Sequence, residues 1–268
     1  MKNKISFTCT CLRDYETILS FKPLFKEGFG GVEIFYPYDM DIDKINTYTK
    51  AIYDLLDGEK DVVRIMHLPY GKSSDLAKDD DKEYSDIVYQ RYFDAIDYAK
   101  MFDVDRFTLH LGMRSTGNYD KLITKIQGLC DYAYPGMIMI ENMPCDCEYG
   151  AFENELDDIF NRVSRSNLKL IYDTGHGHVA MKNTSLEKKL LDDYKDKLYH
   201  FHISDNDSSA DKHGRIGSGN IEFVSIFKDL KKNGYDQVFS LEILYNTVDD
   251  LRNYADSLKE ILRKVEIL

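Results

Sequence analysis

The segment from Tyr199 to Phe223 reads YHFHISDNDSSADKHGRIGSGNIEF. It carries three histidines and three aspartates just past a short apolar run, then enters a glycine pair. The whole chain has seven histidines: His67, His110, His176, His178, His200, His202 and His213. Each falls at or just beyond the end of a strand-like run. Carboxylates accompany them. Glu141 and Asn142 close MIMIEN, Asp173 closes LKLIYD ahead of His176, and Glu242 sits inside SLEIL. A carboxylate in an apolar run is costly to bury unpaired, and several in one dry place compound the cost. A divalent cation resolves it, and a mixed imidazole and carboxylate donor set suits Zn, Mn, Fe or Co better than Mg or Ca. One histidine or glutamate at a strand end is usually an ordinary satisfied polar group. Six strands that each contribute one form a different pattern.

Such residues need elements that bring their strand ends together. Eight β-rich runs recur along the chain, at 5–9, 31–36, 61–68, 106–112, 137–142, 168–175, 198–204 and 238–244. Their spacing is roughly 33 residues, the length of one strand, turn and crossover helix. Helix-period segments lie between them, among them 84–102 and 248–268, with apolar residues at i, i+3, i+4 and i+7. Runs that are apolar on both faces belong to a parallel sheet covered on both sides. The pattern predicts an α/β fold, a (β/α)8 TIM barrel formed by residues 1–268 as one domain. A doubly wound open sheet is the alternative. The count of eight and the lack of a G-x-G-x-x-G after the first run disfavour it. In a barrel the reactive face is the carboxyl end of the strands, which gathers His67, His110, Glu141, Asp173, His176, His202 and Glu242, with Asp211 and His213 from the loop after strand seven. Side chains alternate along a strand, so His200 and His202 share the inner face while Phe201 meets the helices. His202, nearer the mouth, is the better ligand. His178 is expected outside the ligand set.

Composition sets the bounds. The chain has 268 residues, 43% of them apolar, with 20 tyrosines, enough for a sizeable core. Basic side chains number 35 against 47 acidic ones, a net charge of −12. Nucleic-acid backbones are gripped by Lys and Arg, and the longest basic clusters here are pairs such as Lys188-Lys189 and Lys231-Lys232. This favours a small substrate over nucleic acid. No apolar run reaches the length of a membrane span, and the run in MKNKISFTCT is too short for a signal peptide. A cytoplasmic monomer or homodimer is the expectation. Five cysteines, Cys9, Cys11, Cys130, Cys145 and Cys147, have no framework spacing and read as reduced thiols.

The ordered motifs MHLPY, LHLG, IEN, DTGH, HISDND with DKHGRIGSGNI, and LEI resemble the xylose isomerase-like barrel superfamily. That group includes sugar and sugar-phosphate isomerases and epimerases, inosose-type dehydratases and endonuclease IV. The resemblance covers strands three to eight, about two-thirds of the chain. It implies a metal held by Glu141, Asp173, His202 and Glu242, with Glu141 and Glu242 as the acid/base pair and His176 and Arg215 on substrate oxygens. It also implies a second possibility. Endonuclease IV holds three zinc ions, and the matching positions His67, His110, Glu141, Asp173, His176, His202, Asp211, His213 and Glu242 are all occupied by the right residue types. Against that stand ENMPCDCEYG after the fifth strand and a separation of only nine residues between His202 and Asp211. The favoured reading is a divalent-metal-dependent sugar or sugar-phosphate isomerase or epimerase using one to three Zn, Mn or Co ions. Its substrate would be a small carbohydrate or hydroxy-keto acid. The alternatives are an endonuclease IV-like zinc phosphodiesterase on abasic DNA and a metal-dependent dehydratase.

Weaker signals remain. GSGNIEF at 217–223 reads either as a backbone cradle for a phosphate or as a tight turn before a helix capped by Asn220. Arg215 is the nearest cation. Asn142, Glu33 at mid-strand in GVEIFY as a barrel-mouth hydrogen-bond partner, and Tyr70 are further substrate-contact candidates, and Tyr36 and Tyr38 lie in strand-end loops suited to sugar stacking. Cys145 and Cys147 follow strand five and could line the mouth.

Overall fold

The computed structural model describes residues 4–9, 14–181 and 184–268, with only the backbone for 181, 184–186 and 189. Cys11 and the Lys189 side chain therefore lie outside the described residues. The strands are β1 (Ile5–Thr8), β2 (Phe29–Phe35), β3 (Val63–His67), β4 (Arg106–Leu109), β5 (Met137–Glu141), β6 (Leu168–Asp173), β7 (Leu198–Ile203) and β8 (Phe239–Leu241). They pair in sequence order, all parallel, and β8 returns to β1 through Ile5↔Phe239 and Ser6↔Ser240 to close the barrel. This is the (β/α)8 TIM barrel the sequence predicts.

The connections are richer than one helix each. Helices α1 (Tyr15–Ser20) and α2 (Pro23–Lys26) lie between β1 and β2. Single helices α3 (Ile42–Leu56), α4 (Lys82–Lys100), α5 (Tyr119–Ala133) and α6 (Glu153–Val163) follow the next four strands. α7 (Thr174–Met181) and α8 (Thr184–Asp193) follow β6, α9 (Phe223–Lys232) follows β7, and α10 (Val248–Lys264) ends the barrel. Local chemistry starts these helices. Asp41, Asp81 and Asn118 each accept the backbone N–H three residues on, and Thr247 with Asp250 forms a capping box, satisfying orphan donors of the first turn. Among the described residues no helix is long and apolar enough to cross a membrane.

Alternation divides the strands' side chains into two layers. Outward residues such as Phe7, Val32, Met66, Phe107, Ile140, Tyr172, Phe201 and Phe239 pack under the helices in the main core. Each is essentially fully buried, contributing about 1.5–3 kcal/mol. Inward residues are different. Ile65, Met139, Ile171 and Val238 form a small separate apolar plug. Beside it the β8–β1–β2 wall is lined by Ser240, Ser6 and Gly31, where Ser6 Oγ donates to Ser240 Oγ at 2.7 Å. A Cβ on Gly31 would lie 2.8 Å from that of Ser6, so only glycine fits. Above this plug the interior turns polar.

Candidate metal centre and active site

Four strand ends converge where the interior meets the mouth. Ligand atoms of Glu141 (β5), Asp173 (β6), His202 (β7) and Glu242, just after β8, all lie within 4.8 Å of one another. His202 Nδ1 is 3.0 Å from Glu141 Oε1, 2.9 Å from Glu242 Oε2 and 4.0 Å from Asp173 Oδ2. Asp173 Oδ1 caps the start of α7 by accepting from His176 N at 2.6 Å. Asp173 Oδ2 is buried and has no hydrogen-bond partner.

The charges are tightly coupled. Burial pushes the His202 imidazole down, but the carboxylates of Glu242, Glu33 and Glu141 outweigh it and hold His202 well above the usual histidine range. Burial raises Glu141, but His202 and His110 hold it well below the ordinary value. Glu242 is lowered on balance, burial being outweighed chiefly by His202. Asp173 is the exception. Burial pushes it up to about 7, with Glu242 and Glu141 adding to the rise against the pull of His176. One carboxyl of the quartet therefore lacks a counter-charge of its own.

Two more clusters flank the quartet. His67, His110 and Glu141 form one; His176, Asp211 and His213 form the other. Three of these rings are anchored alike. His67 Nδ1 meets Leu68 O at 2.8 Å, His176 Nδ1 meets Asn142 O at 2.9 Å, and His213 Nδ1 meets Glu242 O at 3.0 Å. A carbonyl only accepts, so Nδ1 carries the proton and Nε2 is the nitrogen turned toward the acidic groups. His67 Nε2 lies 3.9 Å from Glu141 Oε2. His176 and His213 Nε2 lie 3.3 and 2.9 Å from Asp211 Oδ2, and Asp211 Oδ1 is a second buried atom without a partner. His110 Nε2 is 3.0 Å from Glu141 Oε2. His213 holds a left-handed backbone, φ 43, a conformation that costs a non-glycine residue of order 1 kcal/mol; the Leu244 N–H donated to its carbonyl helps to keep it there.

Above the clusters opens a cavity of about 320 Å³. Tyr70, Leu76, Met113, Met143 and Pro144 form its apolar wall; His67, His110, His176, His213, Asp75, Glu148, Asp211 and Glu242 form its polar one. Lys72 is the one lysine among its lining residues, and none is an arginine. Tyr70 packs edge-on against Phe35 and tilted against His67 and His110, with centroids 5.7, 4.8 and 5.0 Å away. Asp75 and Glu148 were not singled out by sequence reasoning. Asp75 accepts from Ala77 N and Met113 N at 3.0 and 3.2 Å and so ties the β3 loop to the β4 loop. A Cβ on Gly112, at φ +96, would fall 2.0 Å from Asp75 Oδ1, which explains the glycine of LHLG. Both residues sit in irregular loops, where no periodicity marks them.

Several sequence expectations are corrected. Glu33 is not at the mouth. It is fully buried beneath the quartet, because β2 runs two residues further, to Phe35 opposite His67, and Glu33 pairs with Ile65 of the inner plug. Asn142 turns away from the cavity and latches β5 to β6, donating to Asp173 O at 3.1 Å and accepting from Asp173 N at 2.7 Å. Arg215 is exposed and off the cavity wall. Its loop runs outward because Asp205, fully buried, accepts from Gly217 N, Gly219 N and Ile221 N at 2.7, 3.0 and 3.3 Å. Those N–H groups, the expected phosphate cradle, are spent on Asp205. Asn220 does not cap α9, whose N-cap is Glu222; Asn220 instead meets His178 Nε2 at 2.7 Å, which keeps His178 out of the ligand set. Cys145 and Cys147 are joined in a disulfide rather than reduced, their Cα atoms being 5.1 Å apart; Cys9 and Cys130 are free and buried. His200 points inward below His202, with both ring nitrogens outside hydrogen-bond distance of any partner.

Known proteins share this architecture. A family model described as xylose isomerase-like TIM barrel matches residues 21–265. An uncharacterised protein of Methanocaldococcus jannaschii is 37% identical over 126 residues, which is 47% of this chain and 46% of that protein, so the match spans under half of the relative's length. Among solved structures, a D-tagatose 3-epimerase-like protein superposes with TM-score 0.78 at 24% identity over 98% of each chain. D-allulose 3-epimerase from Methylomonas sp. in complex with D-allulose gives 0.67 at 19% identity, over 89% of this chain and 83% of that one. Likeness at these identities speaks for the fold.

Proposed function

The chain belongs to the xylose isomerase-like TIM barrel family, and from that premise we propose that it is a divalent-metal-dependent isomerase or epimerase that moves a proton beside the carbonyl of a small sugar. The observation that carries this reading is the quartet Glu141, Asp173, His202 and Glu242 at the floor of the cavity, with ligand atoms within 4.8 Å of one another and Asp173 Oδ2 buried without a partner. Three carboxylates and one imidazole fit a Zn, Mn or Co ion. Those four residues would hold it, and when bound it would polarise the sugar's carbonyl and neighbouring hydroxyl oxygens.

The protein's own groups supply the rest. Glu242 lines the cavity and is the carboxylate with access to a carbon-bound proton. Glu141 is covered by His110 and His202, so its part as the second acid or base requires substrate to reach past His110. Tyr70 and the apolar wall suit the C–H face of a sugar, while His176, His213 and Glu148 offer hydrogen bonds to hydroxyls. The lining carries one lysine and no arginine against four carboxylates, and the glycine-turn N–H groups are occupied by Asp205. Both features favour an uncharged sugar over its phosphate. That one structural neighbour is a D-allulose epimerase with its sugar bound agrees with this choice.

A second reading rests on the two flanking clusters, which together with the quartet would serve a polynuclear zinc phosphodiesterase on abasic DNA. One experiment separates the two. Metal-stripped protein is reloaded, its metal content measured, and solvent deuterium incorporation followed across a panel of ketoses, their phosphates and hydroxypyruvate, beside nicking of an abasic duplex. Exchange into a free ketose is expected. No exchange with any panel member, together with duplex nicking by protein holding about three zinc ions per chain, would replace the sugar reading with the nuclease.

A further inference from the structure

The four anchored rings of the site divide unevenly. His67, His176 and His213 rest on neutral backbone carbonyls through Nδ1. His202 meets carboxylates at both nitrogens, and its Nε2 is 2.7 Å from Glu33 Oε2, which lies outside the quartet. A carboxylate only accepts, so Nε2 donates its proton down the barrel. Nδ1 faces Glu141, Glu242 and Asp173 and is the nitrogen a cation held by them would take.

Glu33 is itself held from two sides. Thr108, from β4, donates its hydroxyl to Glu33 Oε1 at 2.7 Å. His200, two residues before His202 on the same strand face, brings Nε2 to 3.6 Å from Oε2. Glu33, Thr108, His200 and His202 all have no exposed surface. An isolated carboxylate at such depth is strongly disfavoured, so the hydrogen bonds from Thr108 and His202 are what hold Glu33 there. Among the described residues its hydrogen bonds run to Thr108 and His202 and none to a lysine or arginine, and it does not line the cavity. A carboxylate placed there, off the cavity wall, acts through the ring it holds.

We propose that Glu33 is the positioning residue of the metal centre: it selects Nδ1 of His202 as the ligand atom and fixes the ring in the quartet, an inference that rests on the reading of the quartet as a metal site. An anionic partner on the far nitrogen also makes an imidazole a stronger donor than a carbonyl partner does.

The test uses the full chain, stripped of metal. Loading with Zn²⁺ and recording long-range proton–nitrogen correlations of ¹⁵N-labelled histidines reports which nitrogen of His202 carries the proton. The expected result is Nε2–H, with Nδ1 shifted by metal. Titration with Co²⁺, read by its visible absorption, then compares the wild type with Glu33→Met, which removes the acceptor while filling similar volume, and Glu33→Gln, which keeps an acceptor but not the charge. Glu33→Met is expected to bind Co²⁺ about 10–100-fold more weakly with an altered spectrum, and Glu33→Gln to recover most of the spectrum at intermediate affinity. A His202 protonated on Nδ1 in the loaded wild type overturns the proposal even if neither variant folds, as does a folded Glu33→Met with wild-type affinity and spectrum. A wild type that takes up no metal at all sinks the metal reading and this inference together; metal uptake with the wrong tautomer sinks this inference alone.

Discussion

The barrel has a cavity at each end, and the larger one is the less interesting. At the floor, about 610 Å³ opens among Lys4, Phe25, Phe29, Glu59, Lys60, Asp61, Asp236 and Val238. At the mouth the space is about 320 Å³. Floor charges face water or are already met, as where the Lys4 ammonium donates to the carbonyl of Asp236. Among the described residues every cluster of metal-ligating atoms lies at the mouth or just beneath it, and none at the floor. What marks the candidate site is the convergence of buried polar groups, not room. Parallel strands aim their carboxyl ends one way, so a chain that puts ligand residues at strand ends concentrates them on one face.

The contrast predicts graded effects. Glu242→Gln, which keeps shape at the mouth but removes a base, should lower kcat by ~10²–10⁴-fold while thermal unfolding stays near that of the wild type; turnover within a few fold of wild type would show that access to the cavity does not identify the base. Asp75→Ala, which frees the loop-tying N–H groups of Ala77 and Met113, should cost about 1–3 kcal/mol in urea unfolding and raise KM more than it lowers kcat. A loss confined to kcat would mean that Asp75 takes part in chemistry rather than holding the wall. Lys60→Ala at the floor should shift stability by no more than about 0.5 kcal/mol and leave the kinetics alone. A clear kinetic defect there would break the distinction between the two ends.

The fold was legible because buried parallel strands read as apolar runs whatever their inward residues do, and eight of them fit a barrel. The quartet was legible for a related reason: Glu141, Asp173, His202 and Glu242 are costly where they stand, and strand ends place them. Depth around the ring was not legible. Glu33 reads as a mid-strand group able to reach the mouth, yet the register, which only pairing reveals, sets it level with Ile65 and below His202. Loop residues were hidden for another reason. Asp75 and Glu148 reach the wall, and Arg215 misses it, through irregular turns such as the one gathered by the hydrogen bonds of Asp205. No spacing rule encodes these. The pairing of Cys145 with Cys147 likewise depends on a local loop path.

The bridge between Asp205 and Gly214, closed by N–H to carbonyl bonds of 2.9 and 3.0 Å in both directions, has an engineering consequence. It turns residues 206–213 into a noose whose neck is knotted to the barrel while its tip, around Ser208 and Ser209, faces solvent. Added length at the tip is inexpensive in closure entropy, each doubling costing about 0.6 kcal/mol. New sequence grafted between Ser208 and Ser209 would hang over the entrance from a fixed collar, a natural point at which to retune what the barrel admits.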